Sequence, residues 1–284
     1  MSRTAILYER PLVTASMSAL LELTMSLRSY REALVLIGGW VPFILLRDHR
    51  LAGNDFEHIG SIDIDLVVDP DRISTHEYAT IVEIITDRGW SHSEGSLFSF
   101  SKQVPASVGV PRHEVRVDFL TPEPGEPAGR HRHRKVQPDL MARRARGASL
   151  ALSHNCMITV DGQLPDGGHA STSVLMADVV GCVGMKGLAL GSRYSEKDAY
   201  DLYAVVEYFG QGPQEVAAMV RPFLEEPLMA ESIGHIRGMF GDERAAGPSW
   251  VANFLTEARD ESHRRLAVRA FMVVSRFLEG LDAQ

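Results

Sequence analysis

The sequence predicts an α+β fold in which a mixed-sheet region precedes a mainly helical one. Three observations carry that expectation. Apolar spacing switches between helix and strand periods as far as Leu120, in the order helix, strand, helix, strand, helix, strand, strand. A Pro/Gly-rich break follows at residues 121–129. From Ala177 the spacing stays helical to the end, interrupted at Gly191, Gly210, Pro213 and Pro248. The expected division is 1–122 for the sheet region, 123–150 for a Pro/Gly and basic linker or arm, and 151–284 for a hairpin followed by helices. The length, 284 residues, gives ample chain for a core.

Each element has its own signal. Met17, Leu20, Leu21, Leu23 and Leu27 recur at helical spacing within 15–30. Ala33-Leu-Val-Leu-Ile37 is a short buried strand that stops at Gly38-Gly39. Residues 40–48 read as a helix, with Pro42 accepted in its first turn. The polar, Gly-bearing stretch 50–60 is a loop, and the strict alternation of 61–68 is the second strand. A helix is expected over 75–88 with Asp71 or Ser74 as its cap. Strands are expected over 97–102 and 114–120. Segments 156–162 and 171–176 read as a hairpin around Pro165-Asp-Gly-Gly168.

Composition excludes several classes. With 45% hydrophobic and 23% charged residues, the chain is not disordered overall. Apolar stretches such as 33–37 and 174–180 fall well short of the ~20 residues a membrane span needs. Glu9, Arg10 and Pro11 interrupt any signal-peptide core, so a cytoplasmic location is expected. Cys156 and Cys182 offer neither a disulfide framework nor zinc spacing. The net charge is −8, which argues against a general nucleic-acid coat. Yet seven Arg/Lys fall within 130–146 against one acid, Asp139, so this segment is +6 and the rest is −14. Arg130, Arg132, Arg134, Lys135, Arg143 and Arg144 are therefore candidate RNA contacts, with a solvated basic loop as the plain alternative.

Two carboxylates, Asp63 and Asp65, sit two apart on a strand and so point to one face. They repel unless a cation lies between them, and Mg²⁺ suits their oxygen donors. Asp118 is a third carboxylate, in phase with Arg116 on a later strand. Were the two strands neighbours, three carboxylates would converge, a set able to hold two Mg²⁺ for in-line displacement at a phosphate. Gly38-Gly39, between a strand and a helix, would offer backbone N–H groups to a phosphate.

In this order, Ile37-Gly38-Gly39, Ser61-Ile-Asp63-Ile-Asp65-Leu and Val117-Asp118 resemble the polymerase-β type of nucleotidyltransferase. Met185-Lys186-Gly-Leu-Ala-Leu, Arg193 and Lys197-Asp198-Ala-Tyr-Asp201-Leu-Tyr resemble, more narrowly, the AbiEii/MenT-like nucleotidyltransferase toxins of bacterial toxin–antitoxin pairs. The resemblance spans about 34–203. It implies an N-terminal mixed-sheet nucleotidyltransferase domain, an NTP donor, Mg²⁺, an RNA acceptor (notably the 3′ end of tRNA) and a cognate antitoxin. It further implies that Gly38, Gly39, Ser61, Lys186 and Arg193 bind the nucleotide. Asp63, Asp65 and Asp118 would hold metal, with Asp118 completing the site or serving as base. Lys186 would neutralise phosphate charge and Asp198 would line the pocket.

Plainer readings stand beside these. Lys186 alone could be solvated, and Lys197, Asp198 and Asp201 have the spacing of an ordinary charge set on an exposed helix. Trp40, Trp90 and Trp250 read as core, although Trp40 beside the Gly-Gly turn could stack on a base. Antibiotic nucleotidyltransferases of the aminoglycoside type share Gly-Gly-Trp and Asp-x-Asp, which keeps a small-molecule acceptor open. Trp40 and Ile59 depart from the family pattern and keep a non-catalytic nucleotide-binding module open.

Overall fold

The structure is a computed structural model that describes residues 4–73, 79–106, 109, 111–123 and 132–283. The Ser74 cap and the Arg130 contact expected from the sequence lie outside the described residues. The chain runs through α1 (Arg10–Ser26), β1 (Leu34–Ile37), α2 (Trp40–His49), β2 (Asp63–Val68) and α3 (Ile81–Asp87). Five strands follow: β3 (Ser91–His92), β4 (Ser99–Pro105), β5 (Arg112–Pro122), β6 (His133–Lys135) and β7 (Met141–Ala145). Helix α4 (Ala148–Ser153) leads to β8 (Asn155–Gln163) and β9 (His169–Ala177). The remainder is helical: α5 (Val179–Ser192), α6 (Glu196–Tyr208), α7 (Pro213–Val220), α8 (Pro227–Met239), α9 (Ala246–Leu255) and α10 (Glu261–Asp282). The fold is α+β, with a mixed sheet and a helical C-terminal region, as the periodicities predict.

Two compact units divide the chain. One comprises 9–40 and 61–177, and the other comprises 1–8, 41–60 and 178–284. The first holds the sheet, ordered β3-β4-β5-β2-β1-β9-β8, with β7 also on β5 and β6 on β7. Strand β1 is antiparallel to β2 and parallel to β9, while β2 and β5 are parallel. Apolar alternation explains the pairing: Ile64 and Leu66 of β2 stand beside Val117 and Phe119 of β5, all at most 1% exposed. Helix α1 lies along β9, β5, β8 and β4 and buries Ala15, Ala19, Leu20 and Leu23. Helix α3 begins later than expected, at Ile81, because Thr80 and Glu83 form a capping box that satisfies two orphan N–H donors. The Pro/Gly break does not end the sheet. Beyond it β7 pairs with β5, and the β8–β9 hairpin joins the opposite side through β1. Residues 132–150 are thus a strand pair and a short helix rather than a loose arm.

The second unit is helical. Asp178 and Ser195 cap α5 and α6 by accepting the N–H groups of Gly181 and Asp198. Gly187 lets α5 meet α8 closely, since a Cβ there would collide with Ser232 and Ile236. Among the described residues no helix is long and apolar enough to cross a membrane.

Candidate functional site

In the sheet unit, register brings the expected carboxylates together. Asp65 pairs with Asp118 across the parallel β2–β5 ladder, and Asp63 pairs with Arg116. Ser99 of β4 continues the first row and Ser101 the second. Pleating then places Asp63, Asp65, Arg116, Asp118 and Ser99 on one face, opposite the apolar residues just described. The Ser99 hydroxyl donates to Asp118 Oδ1 at 2.6 Å. Arg116 stands between the acids, with Nη2 3.6 Å from Asp63 Oδ2 and Nε 3.3 Å from Asp118 Oδ1. Part of the repulsion that a metal was expected to relieve is therefore relieved by this guanidinium. Asp63 and Asp118 keep side-chain exposures of 29% and 13%, so both remain open to a ligand.

Gly38 ends β1 in the left-handed region at φ +77°. A Cβ at this position would be driven into the Asp65 carboxylate, so glycine answers both the turn and the close approach. Gly39 is half-exposed beside it. Ser61, expected to touch a triphosphate, is buried and donates to the carbonyl oxygen of Asp63 at 3.0 Å. Trp40 is fully buried, and its indole N–H reaches Ser16 Oγ at 3.3 Å, so it packs in the core and stacks on no ligand.

The basic residues that fall on described positions belong to β6, β7 and the turn before them. Arg132, Arg134 and Lys135 are exposed, whereas Arg143 and Arg144 are half-buried. Arg143 pairs in register with Leu120 and with His133, which puts it on the face of Asp118. Its guanidinium lies 5.4 Å from the Phe98 ring centroid, and Phe98 stacks on His133 at 5.3 Å. Sequence periodicity had no means of finding this small aromatic and cationic group, because it depends on pairing between distant strands.

Lys186, Arg193 and Asp198 fall in the helical unit, where they join Lys197 and Asp201 of the same motif, and His58. The Lys186 ammonium donates to Asp198 Oδ1 at 2.8 Å and to Asp201 Oδ2 at 2.6 Å. Arg193 grips Asp198 Oδ2 with Nε at 3.0 Å and Nη2 at 2.7 Å. Asp201 also accepts from Lys197 at 2.7 Å and from His58 Nε2 at 3.0 Å. The exposed charge set that the i, i+4 spacing allows is therefore a buried one: Asp198 is 3% and Asp201 0% exposed. Burial opposes the Lys186 ammonium, yet Asp198 and Asp201 outweigh it and hold its pKa above the ordinary value. Burial likewise opposes both carboxylates, but Lys186 and Arg193 hold Asp198 below its ordinary value, and Lys186, Lys197 and His58 hold Asp201 far below it. For Lys197 burial prevails and its pKa falls. The Lys197 amine also faces the rings of Tyr8, Tyr200 and Phe254 at 5.1, 5.7 and 5.9 Å.

His58 completes the network. The Gly60 N–H donates to its Nδ1 at 3.1 Å, which makes Nε2 the protonated nitrogen that donates to Asp201. Its ring stacks on Tyr200 at 5.0 Å. Burial, with Lys197 and Lys186 nearby, pushes its pKa down to about 4 despite the Asp201 contact. Ile59 donates its backbone N–H to Tyr200 Oη at 3.2 Å, and Arg50 donates to the Phe56 carbonyl at 2.5 Å.

Set against protein-family models, curated proteins and solved structures, the chain matches none. Among the described residues no group of three or more His, Cys, Asp or Glu is arranged to hold a metal by itself. Mg²⁺ does not require one, since it is commonly held by one or two carboxylates together with substrate phosphates and water. Asp63 and Asp65 offer hard oxygen donors of that kind, while the metal-holding set of three with Asp118 that the sequence suggested is not among such groups in the described residues.

Proposed function

We propose that the chain is a Mg²⁺-dependent nucleotidyltransferase that moves a nucleoside monophosphate from an NTP to the 3′ end of tRNA, as the toxin of a toxin–antitoxin pair. The observation that carries this reading is the register of Asp65 with Asp118, with Asp63 two residues away and Gly38 closing on Asp65. Asp63 and Asp65 would hold the metal, whose role when bound is to neutralise charge on the transferring phosphate. The Gly38-Gly39 turn would present backbone N–H groups to the triphosphate. Asp118, oriented by Ser99, would accept the proton of the acceptor hydroxyl. Arg116 would pass from bridging Asp63 and Asp118 to countering phosphate charge. The exposed Arg132, Arg134 and Lys135, with Arg143 on the same face as Asp118, suit a polyanionic acceptor better than a cationic antibiotic. Lys186, Arg193 and Asp198 would act by shaping the helical unit, because their charges are already paired.

Arg116 between the acids also favours a second reading, a nucleotide-binding module without catalysis. One experiment separates them: α-labelled NTPs, Mg²⁺ and total bacterial tRNA, with Asp63→Ala as control. Label on tRNA from one NTP, absent in the control, is the expected result. Transfer retained by Asp63→Ala refutes the site. Label appearing only when an aminoglycoside is added assigns the small-molecule acceptor, and NTP binding without pyrophosphate release selects the module.

A further inference from the structure

Helix α10 lines a cavity of about 650 Å³ in the helical unit, and four arginines, Arg264, Arg265, Arg269 and Arg276, face it. Arg269 is paired with Glu207, its Nε lying 2.9 Å from Oε1. Arg265 makes an exposed contact with Glu261 at 3.4 Å. Arg264 and Arg276 have no carboxylate partner among the described residues. Residues 259–276 hold five Arg against Asp260 and Glu261, so this stretch is +3 within a chain of −8. Two of the four cavity arginines, Arg264 and Arg276, are thus left without an acidic counterpart among the described residues.

We propose that this face of α10 binds the phosphate backbone of RNA. Arginine forks match phosphate oxygens two at a time, which lysine does not. From Arg264 to Arg276 the helix rises about 18 Å at 1.5 Å per residue, a span of about five phosphates at ~3.4 Å per nucleotide. A single small anion could engage only part of it. An acidic protein helix would feel the same charge, but such a helix seats on several apolar anchors. Met272, 47% exposed, is the only large hydrophobic residue of the cavity exposed to that degree. The inference concerns binding alone, so it stands apart from the transfer reaction, while offering a grip for the same class of acceptor.

The test is fluorescence anisotropy of labelled bacterial tRNA with the full chain, between 50 and 200 mM salt. Removing two phosphate contacts in Arg264→Ala/Arg276→Ala should lower the salt slope by about 1.4–1.8 and the affinity at 0.1 M salt by roughly 25–60-fold. Arg264→Lys/Arg276→Lys should restore the salt slope, because charge is kept, but only part of the affinity, because the fork is lost, and thermal melting should show both variants folded. Binding is read without NTP or transfer, so failure of the transfer reading and failure of this one are distinguishable. An unchanged slope in the alanine variant overturns the proposal. So does an equal loss in Arg31→Ala/Arg88→Ala, which alters net charge elsewhere. Poly-glutamate binding that the alanine variant loses while tRNA binding holds would assign the face to an acidic protein and overturn it as well.

Discussion

Acidification should destabilise the helical unit through His58 before any carboxylate responds. The imidazole is fully enclosed, receives the Gly60 N–H on Nδ1 and donates from Nε2 to Asp201, so a second proton would displace the Gly60 bond and charge a buried ring. Its pKa falls from 6.5 to about 4, chiefly by burial. Because the folded value lies below the unfolded one, the unfolded chain binds more protons between them. The stability is complete above pH 6.5 and is lost as pH falls towards 4, at up to about 1.4 kcal/mol per pH unit. Between pH 7.5 and 4.5 the loss should reach about 2–3 kcal/mol. The assay is urea unfolding of the parent and of His58→Gln, which keeps a donor for Asp201 but does not titrate. The parent should lose about 2–3 kcal/mol more than the variant over that interval. Parallel pH profiles would refute the argument. A parent that gains on the variant at low pH would show instead a charged His58 paired with Asp201.

Two further substitutions probe the rest of the architecture. Asp201→Ala removes the acceptor of Lys197 and His58 and one of the two acceptors of Lys186, at a position with 0% exposure. Breaking such a buried pair costs about 3–5 kcal/mol, so differential scanning calorimetry should show Tm lowered by roughly 6–20 °C; a shift under about 2 °C would mean that the cations find other partners. Gly38→Ala places a Cβ in a left-handed backbone and against the Asp65 carboxylate, which should cost about 1–3 kcal/mol in denaturant unfolding. It should also reduce nucleotide transfer beyond what the lost folded fraction explains, and full activity in the folded variant would separate the turn from the chemistry.

Strands β2 and β5 were legible because residues buried on one face and solvated on the other must alternate, and Asp63, Asp65 and Asp118 stand out on the polar phase. The longer helices were legible for the matching reason. Strands β6 and β7 were not. They are short and arginine-rich, so they carry little intrinsic strand preference and exist because β5 extends past the end of β4. The convergence of Asp65 with Asp118 depended on a register that no local pattern encodes, and Arg116 entered the site by the same register. The sequence left the setting of Asp201 open. An i, i+4 pair with Lys197 has the same spacing on an exposed helix as on a buried one, and the deciding partner, His58, lies 143 residues away.

Burial separates the two groups of charged residues into different kinds of work. Asp201 is sealed from solvent and already accepts from two ammonium groups and an imidazole, so a substrate has no access to it. Asp63 and Asp118 are half-open and share one guanidinium at 3.3–3.6 Å, longer than a strong charge-assisted hydrogen bond. A guanidinium held that loosely can be displaced by a better-placed cation or drawn to an incoming phosphate, whereas the short contacts around Asp201 cannot be exchanged without stranding a buried charge. The closely paired network therefore contributes stability and pH dependence, whereas on the proposed reading the loosely neutralised acids on β2 and β5 are where binding energy would be converted into chemistry.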